Sequence, residues 1–157
     1  MPYLIDGHNL IPKLGLRLDS LDDEEELISR LQEFCRLRRV RLQVFFDGAP
    51  PGQVPVRKAG PVTAHFVRMG SSADAAIELQ LARMGNIVKN WTVVSSDGRV
   101  QRAARAVHAG VLSSEEFARE MSKTHSASKA VSKNEVTLAP DELEEWLDVF
   151  NRKKDRT

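Results

Sequence analysis

The sequence predicts an α/β domain built on a mostly parallel central sheet with helices on both faces. Short apolar runs rich in β-branched and aromatic residues alternate with longer stretches whose apolar positions recur at helical spacing. Strands separated by helices require crossovers, and crossovers cover a sheet on both sides. The length, 157 residues, suits one core and is short for two ordinary domains.

Tyr3-Leu4-Ile5 reads as a strand ending at Asp6-Gly7. Ser20 is placed to cap a helix whose first turn carries Asp22, Asp23 and Glu24, charges that suit the positive end of a helix dipole. Leu27, Ile28, Leu31, Phe34 and Cys35 supply its buried face, and Arg36, Arg38, Arg39 and Arg41 close it with charges suited to its negative end. Leu42 to Phe46 is a second strand, again ending in Asp-Gly, at Asp47-Gly48. Residues 49–60 read as a proline- and glycine-rich loop carrying Arg57 and Lys58. Val62 to Val67 is a third strand. Ser71 or Ser72 caps a helix to about Met84, with Ala73, Ile77, Leu81 and Met84 as its apolar stripe. Trp91 to Val94 is a fourth strand, ending at Ser95-Ser96-Asp97. Val100, Ala103, Ala104 and Val107 line the next helix, which Gly110 stops. Val111-Leu112 is a short fifth strand, and Ser114 starts another helix.

Residues 123–139 shift to Ser, Lys, Ala and Thr, the composition of a flexible linker. The expected organisation is therefore a domain over 1–122, a linker over 123–139, and an amphipathic helix with a charged tail over 140–157, its stripe formed by Leu143, Trp146, Leu147 and Phe150. The 23 basic and 22 acidic residues leave a formal charge of +1, so net charge singles out no polyanionic partner. One cysteine excludes an internal disulfide framework and a cysteine-rich zinc module. No apolar run approaches the roughly 20 residues that span a bilayer, and the opening residues lack a signal-peptide pattern, so a cytoplasmic protein without a membrane partner is expected.

The positions of the acids carry the functional signal. In open parallel sheets, sites lie outside the carboxyl ends of the strands. Asp6, Asp47 and Asp97 each follow a strand; Asp74 stands in the first turn of the helix after the third strand, with Glu78 one turn further on the same side. Two carboxylates about 5 Å apart repel by roughly 3 kcal/mol at an effective dielectric near 20. Either one takes up a proton or a cation sits between them. Asp74 and Asp97 lie at helix starts, where the ionised form is favoured, so the balance tips to a hard divalent ion, Mg²⁺ or Mn²⁺. Asn9 is a candidate neutral ligand or water-orienting group. Each acid taken singly also has an ordinary structural explanation as a turn residue or cap.

Leu4-Ile5-Asp6-Gly7-His8-Asn9-Leu10-Ile11 resembles the opening strand and turn of the NYN domains, in particular their YacP-like branch, where tyrosine is usual at the position of His8. Ser72 to Glu78 resembles that family's Ala-Asp-x-x-Ile segment, and Val93 to Gln101 its strand-to-helix motif. Phe46-Asp47-Gly48-Ala49-Pro50 is similar to a segment of flap endonucleases, which share the wider PIN-like fold. The likeness runs to about Met121. It implies a three-layer PIN-like, Rossmann-like fold and a divalent-metal-dependent ribonuclease that hydrolyses RNA phosphodiester bonds with metal-activated water. Metal-ligand roles pass to Asp6, Asp74 and Asp97, with Asp47, Asn9 and Glu78 in support.

Basic residues near the acids form the expected RNA-binding rim: Arg57, Lys58, Arg68, Arg99 and Arg102, with Ser95 and Ser96 available to a ligand carboxylate or a phosphate. His8 has two readings, a phosphate contact when protonated and a packed turn residue. The Arg36 to Arg41 cluster reads as helix-end charge. The low net charge makes the ribosome an expected partner in presenting substrate. A dinucleotide-binding domain is excluded by the missing glycine fingerprint at the first turn. The rival that remains is an RNA- or ribosome-binding protein that keeps the fold without cleaving.

Overall fold

A six-stranded sheet organises the computed structural model of the chain, which describes residues 2–16 and 21–136. Its strands are β1 (Tyr3–Asp6), β2 (Leu42–Ala49), β3 (Val56–Ala59), β4 (Val62–Arg68), β5 (Thr92–Val94) and β6 (Gly110–Leu112), in the order β3-β4-β2-β1-β5-β6. All pairings are parallel except the β3–β4 hairpin. The helices are α1 (Gly7–Leu10), α2 (Leu21–Arg38), α3 (Ala73–Met84), α4 (Gly98–Ala106) and α5 (Ser114–Val136), with 3₁₀ turns at Ile11–Leu14 and Gly85–Asn90.

The two-residue period of the strands divides the core between the faces. Ile5, Val44, Phe46 and Val94 point to one side, where they meet Leu27, Leu31 and Phe34 of α2 and Phe117 of α5. Leu4, Phe45 and Val93 point to the other and pack with Ile77 and Leu81 of α3 and Val100 and Ala104 of α4. Each large side chain buried this way contributes roughly 1.5–3 kcal/mol. The arrangement also locates a crevice. From β1 the chain leaves across one face, through α2, to β2; from β5 it leaves across the other, through α4, to β6 on the far side. Neighbouring parallel strands whose connections diverge in this way open a ligand crevice at their carboxyl ends. Asp6 ends β1, and Ser95-Ser96-Asp97 follows β5.

Three segments differ from the sequence expectations. β2 runs on through Asp47 and Gly48, with a register shift between Phe46 and Ala49, so Asp47 lies in an irregular strand end rather than in a turn beyond it. Residues 56–59 are a strand, not loop: Gly60 adopts φ 61° in the two-residue turn before Val62, the conformation that hairpin turns require. Residues 123–136, read as linker, continue α5, because lysine and alanine propagate a helix as readily as they fill a linker. Ser20 and the 140–157 helix lie outside the described residues.

At the end of α2, Arg39 has φ 56°, and the Val40 N–H donates to the Cys35 carbonyl at 3.1 Å. This is a Schellman-type stop with arginine where glycine is usual, and the Cβ costs roughly 1–2 kcal/mol there. The chain divides into two compact units, 1–122 and 123–157; the sheet belongs entirely to the first. Among the described residues no helix is long and apolar enough to cross a membrane.

Candidate functional site

Asp6 is held at the end of β1 by the close approach of α1 to β2. A Cβ on Gly7 would stand 2.4 Å from a Phe46 ring carbon and 2.9 Å from the Phe45 carbonyl oxygen, so the residue after Asp6 has no room for a side chain. Asp6 itself is only 6% exposed. Burial, followed by repulsion from Asp74 and Asp47, pushes its carboxyl up to about 6, against smaller opposing contributions from the Asn9 backbone and the Ser95 hydroxyl. Among the described residues no lysine or arginine is hydrogen-bonded to it.

Ser95 joins Asp6 to Asp97. Its hydroxyl donates to Asp6 Oδ2 at 3.4 Å and accepts from the Asp97 N–H at 3.0 Å. Asp97 caps α4, its Oδ1 accepting from the Arg99 and Val100 N–H groups at 2.8 and 3.4 Å. Asp74, in the first turn of α3, is raised by burial and then by Asp97, with Asp47 and Glu78 adding to the repulsion and Arg99 opposing it. Asp74 therefore stands within electrostatic reach of Asp6, Asp47 and Asp97.

The structure gives several of the expected site residues partners of their own. Glu78 is partly exposed and held by a two-bond pair with Arg99 at 2.7 and 3.1 Å. The Asn9 side-chain oxygen accepts from the Ser96 N–H at 2.7 Å and the Ser114 hydroxyl at 2.6 Å, which makes it a clamp between α1, the loop after β5 and the start of α5. Ser95 is fully buried, and of the two partners expected of it the structure shows the carboxylate, that of Asp6. The Ser96 hydroxyl lies 2.9 and 3.1 Å from the Glu115 carboxylate oxygens and accepts from the Ser114 N–H, and Glu115 also pairs with Lys13. Arg57 and Lys58 lie along edge strand β3, and Arg57 is bound through both terminal nitrogens to Glu25 at 2.6 and 2.8 Å. Arg68 ends β4 at the acidic edge, and Arg102 folds back over the start of α4, its Nη1 3.2 Å from where a Gly98 Cβ would sit.

Sequence reasoning missed the clamp on Asp47. His8 Nδ1 lies 2.8 Å from Asp47 Oδ1, and His8 Nε2 lies 2.6 Å from Glu24 Oε2. With a carboxylate at each nitrogen the ring fits as an imidazolium, which donates twice. The Glu24 bond is the largest cause raising its pKa, with Asp47 adding and burial opposing. The other Asp47 oxygen accepts from the Ala73 N–H at 3.5 Å, which ties β2 to the start of α3. Glu24 had the appearance of a dipole-compensating residue, and no local pattern links it to His8, 16 residues away.

The donor set is all oxygen and mutually repelling, which suits a hard divalent ion. Among the described residues no three His, Cys, Asp or Glu side chains meet closely enough to enclose a metal ion.

The family model described as YacP-like NYN domain matches residues 3–154. Two crystal structures of Rae1 (YacP) from Bacillus subtilis are similar to the chain. One, of the W164L mutant, is 25% identical, with 92% of this chain and 89% of that chain covered and a TM-score of 0.71. The other is 23% identical, with 99% and 95% covered and a TM-score of 0.71. No curated protein matches.

Proposed function

From the chain's membership of the YacP-like NYN domain family, a nuclease-type family, we propose that it is a divalent-metal-dependent ribonuclease acting at the edge formed by Asp6, Asp74 and Asp97. One observation carries the reading: Asp6 is buried at the carboxyl end of β1, its proton affinity raised by that burial and then by neighbouring acids, with no basic partner among the described residues. Such an arrangement is unfavourable in a purely structural role.

Asp6, Asp74 and Asp97 would hold Mg²⁺ or Mn²⁺, with Asp47 in support. The ion supplies charge neutralisation at the phosphate and a more acidic water. Ser95 keeps Asp6 in register with Asp97, and His8 fixes Asp47. Arg68, Arg99 and Arg102 flank the acids as contacts for the RNA backbone; Arg99 must part from Glu78 to make one. In the reaction a water oxygen bonds to phosphorus as the bond from phosphorus to the leaving ribose oxygen breaks. The water loses a proton and the leaving oxygen gains one.

The test is incubation of purified protein with RNA and Mn²⁺ or Mg²⁺, repeated with Asp6→Asn. Cleavage falling at least 100-fold in the variant, and in wild type with chelator, is expected. Equal cleavage by both proteins ends the assignment. RNA retained uncut by wild type makes the protein a binding module instead.

A further inference from the structure

The sheet end opposite the acids carries a second constellation. Arg36 and Arg39, at the close of α2, and Arg41, just before β2, line an open cavity of about 720 Å³ together with Gln32, Glu33 and Pro61. All three arginines are exposed, and none is ion-paired with a described residue. Arg30, Arg38, Arg57 and Arg99, by contrast, are each held by a glutamate. Three guanidinium groups against the Glu33 carboxylate leave the wall with a net charge of +2.

Helix-end charge alone does not account for this. The dipole favours cations within the last turn, but Arg41 lies beyond the helix. It also rewards a charge at any last-turn position and gives no reason to place arginine at φ 56°, where glycine would relax the backbone. An arginine at such a strained position points to a role for its side chain.

We infer that this cavity binds the phosphate backbone of RNA, as a grip remote from the acidic edge. RNA as the polymer rests on the ribonuclease reading; the demand for a phosphate-bearing polyanion rests on the cavity. Arg41 and Asp47 are six residues apart along β2, so grip and acidic edge are separated by roughly 20 Å of strand. The grip therefore sets affinity and leaves the bond-breaking step untouched.

The test compares the Asp6→Asn protein with the same protein carrying Arg36→Gln, Arg39→Gly and Arg41→Gln. Binding of a fluorescent single-stranded RNA of about 20 nucleotides is followed over a salt series with chelator present. Losing three phosphate contacts should flatten the plot of log affinity against log salt by about 2. With Asp6 restored, the triple variant should show a raised KM for RNA at unchanged kcat. Arg39→Gly alone should weaken binding without lowering Tm, which separates loss of contact from loss of fold. An unchanged salt slope and affinity, or no RNA binding by the Asp6→Asn protein at 50 mM salt, overturns the inference. If Asp6→Asn still cleaves, the ribonuclease site is misplaced, while the slope comparison still decides the grip.

Discussion

A carboxyl group that folding lifts from 3.8 to about 6 is unfavourable at neutral pH. Between those two values the folded protein keeps a proton that the unfolded chain has released. Stability therefore falls as pH rises through that window and stays lower above it, by roughly 3 kcal/mol. Asp6→Asn should accordingly raise the thermal midpoint at pH 7 by roughly 5–10 °C, with the gain shrinking towards pH 4. Thermal melts across pH 4–8 check this; a variant no more stable than wild type at pH 7 would show that Asp6 carries no such burden. His8 has the opposite sign. Its pKa is raised by Glu24 and Asp47, so its contribution is complete below 6.5 and is lost as pH rises through the higher folded value. His8→Ala should destabilise by about 1–3 kcal/mol at pH 6 and by less at high pH. Denaturant titrations at both pH values measure it, and a ring that titrates by NMR at or below 6.5 contradicts the clamp.

Among the elements, α3 sets Asp74 and Glu78 one turn apart on the same helix. The first is raised by repulsion from Asp97, Asp47 and Glu78 on top of its burial; the second is lowered by its Arg99 bond. Only a carboxylate in need of a counter-ion gains from a divalent one. Mn²⁺ should raise Tm by linkage in wild type, Asp74→Asn should reduce that gain, and Glu78→Gln should leave it intact. Scanning calorimetry with and without the ion distinguishes them, and equal losses in both variants would place Glu78 among the ligands after all. The same helix shows what a sequence makes legible. Ser72 accepts from the Ala75 N–H at 3.1 Å as a cap, and Ala73, Ile77 and Leu81 are buried, because cap and stripe are written within a few residues of one another. β3 was not legible: Pro51, Gly52 and Pro55 precede it, and Val56 to Ala59 become a strand only because β4 offers an edge to pair with.

Across the molecule, the parallel sheet and the acids at its strand ends could be read from apolar runs that stop at Asp6, Asp47 and Asp97. What could not be read were the partners that decide which acids stay available. Glu78 is taken by Arg99, Asn9 by Ser96 and Ser114, and Asp47 by His8, over separations of 21 to 105 residues. Side chains so far apart in sequence meet only once the sheet order is set, so periodicity carries no trace of them. Gly7 is similar: it looks like the glycine of a turn, and the reason for it is the Phe46 ring above it.

The Asn9 clamp also fixes an order of events during synthesis. Asp6, Asp47 and Asp74 all leave the translation machinery before the donors on Ser96 and Ser114 that anchor the segment bearing Asp97. A growing polypeptide consequently carries most of its acids without the framework that aligns them, and the crevice is completed only when residue 114 has emerged. A fragment cut short before that point lacks one of the two donors that hold Asn9.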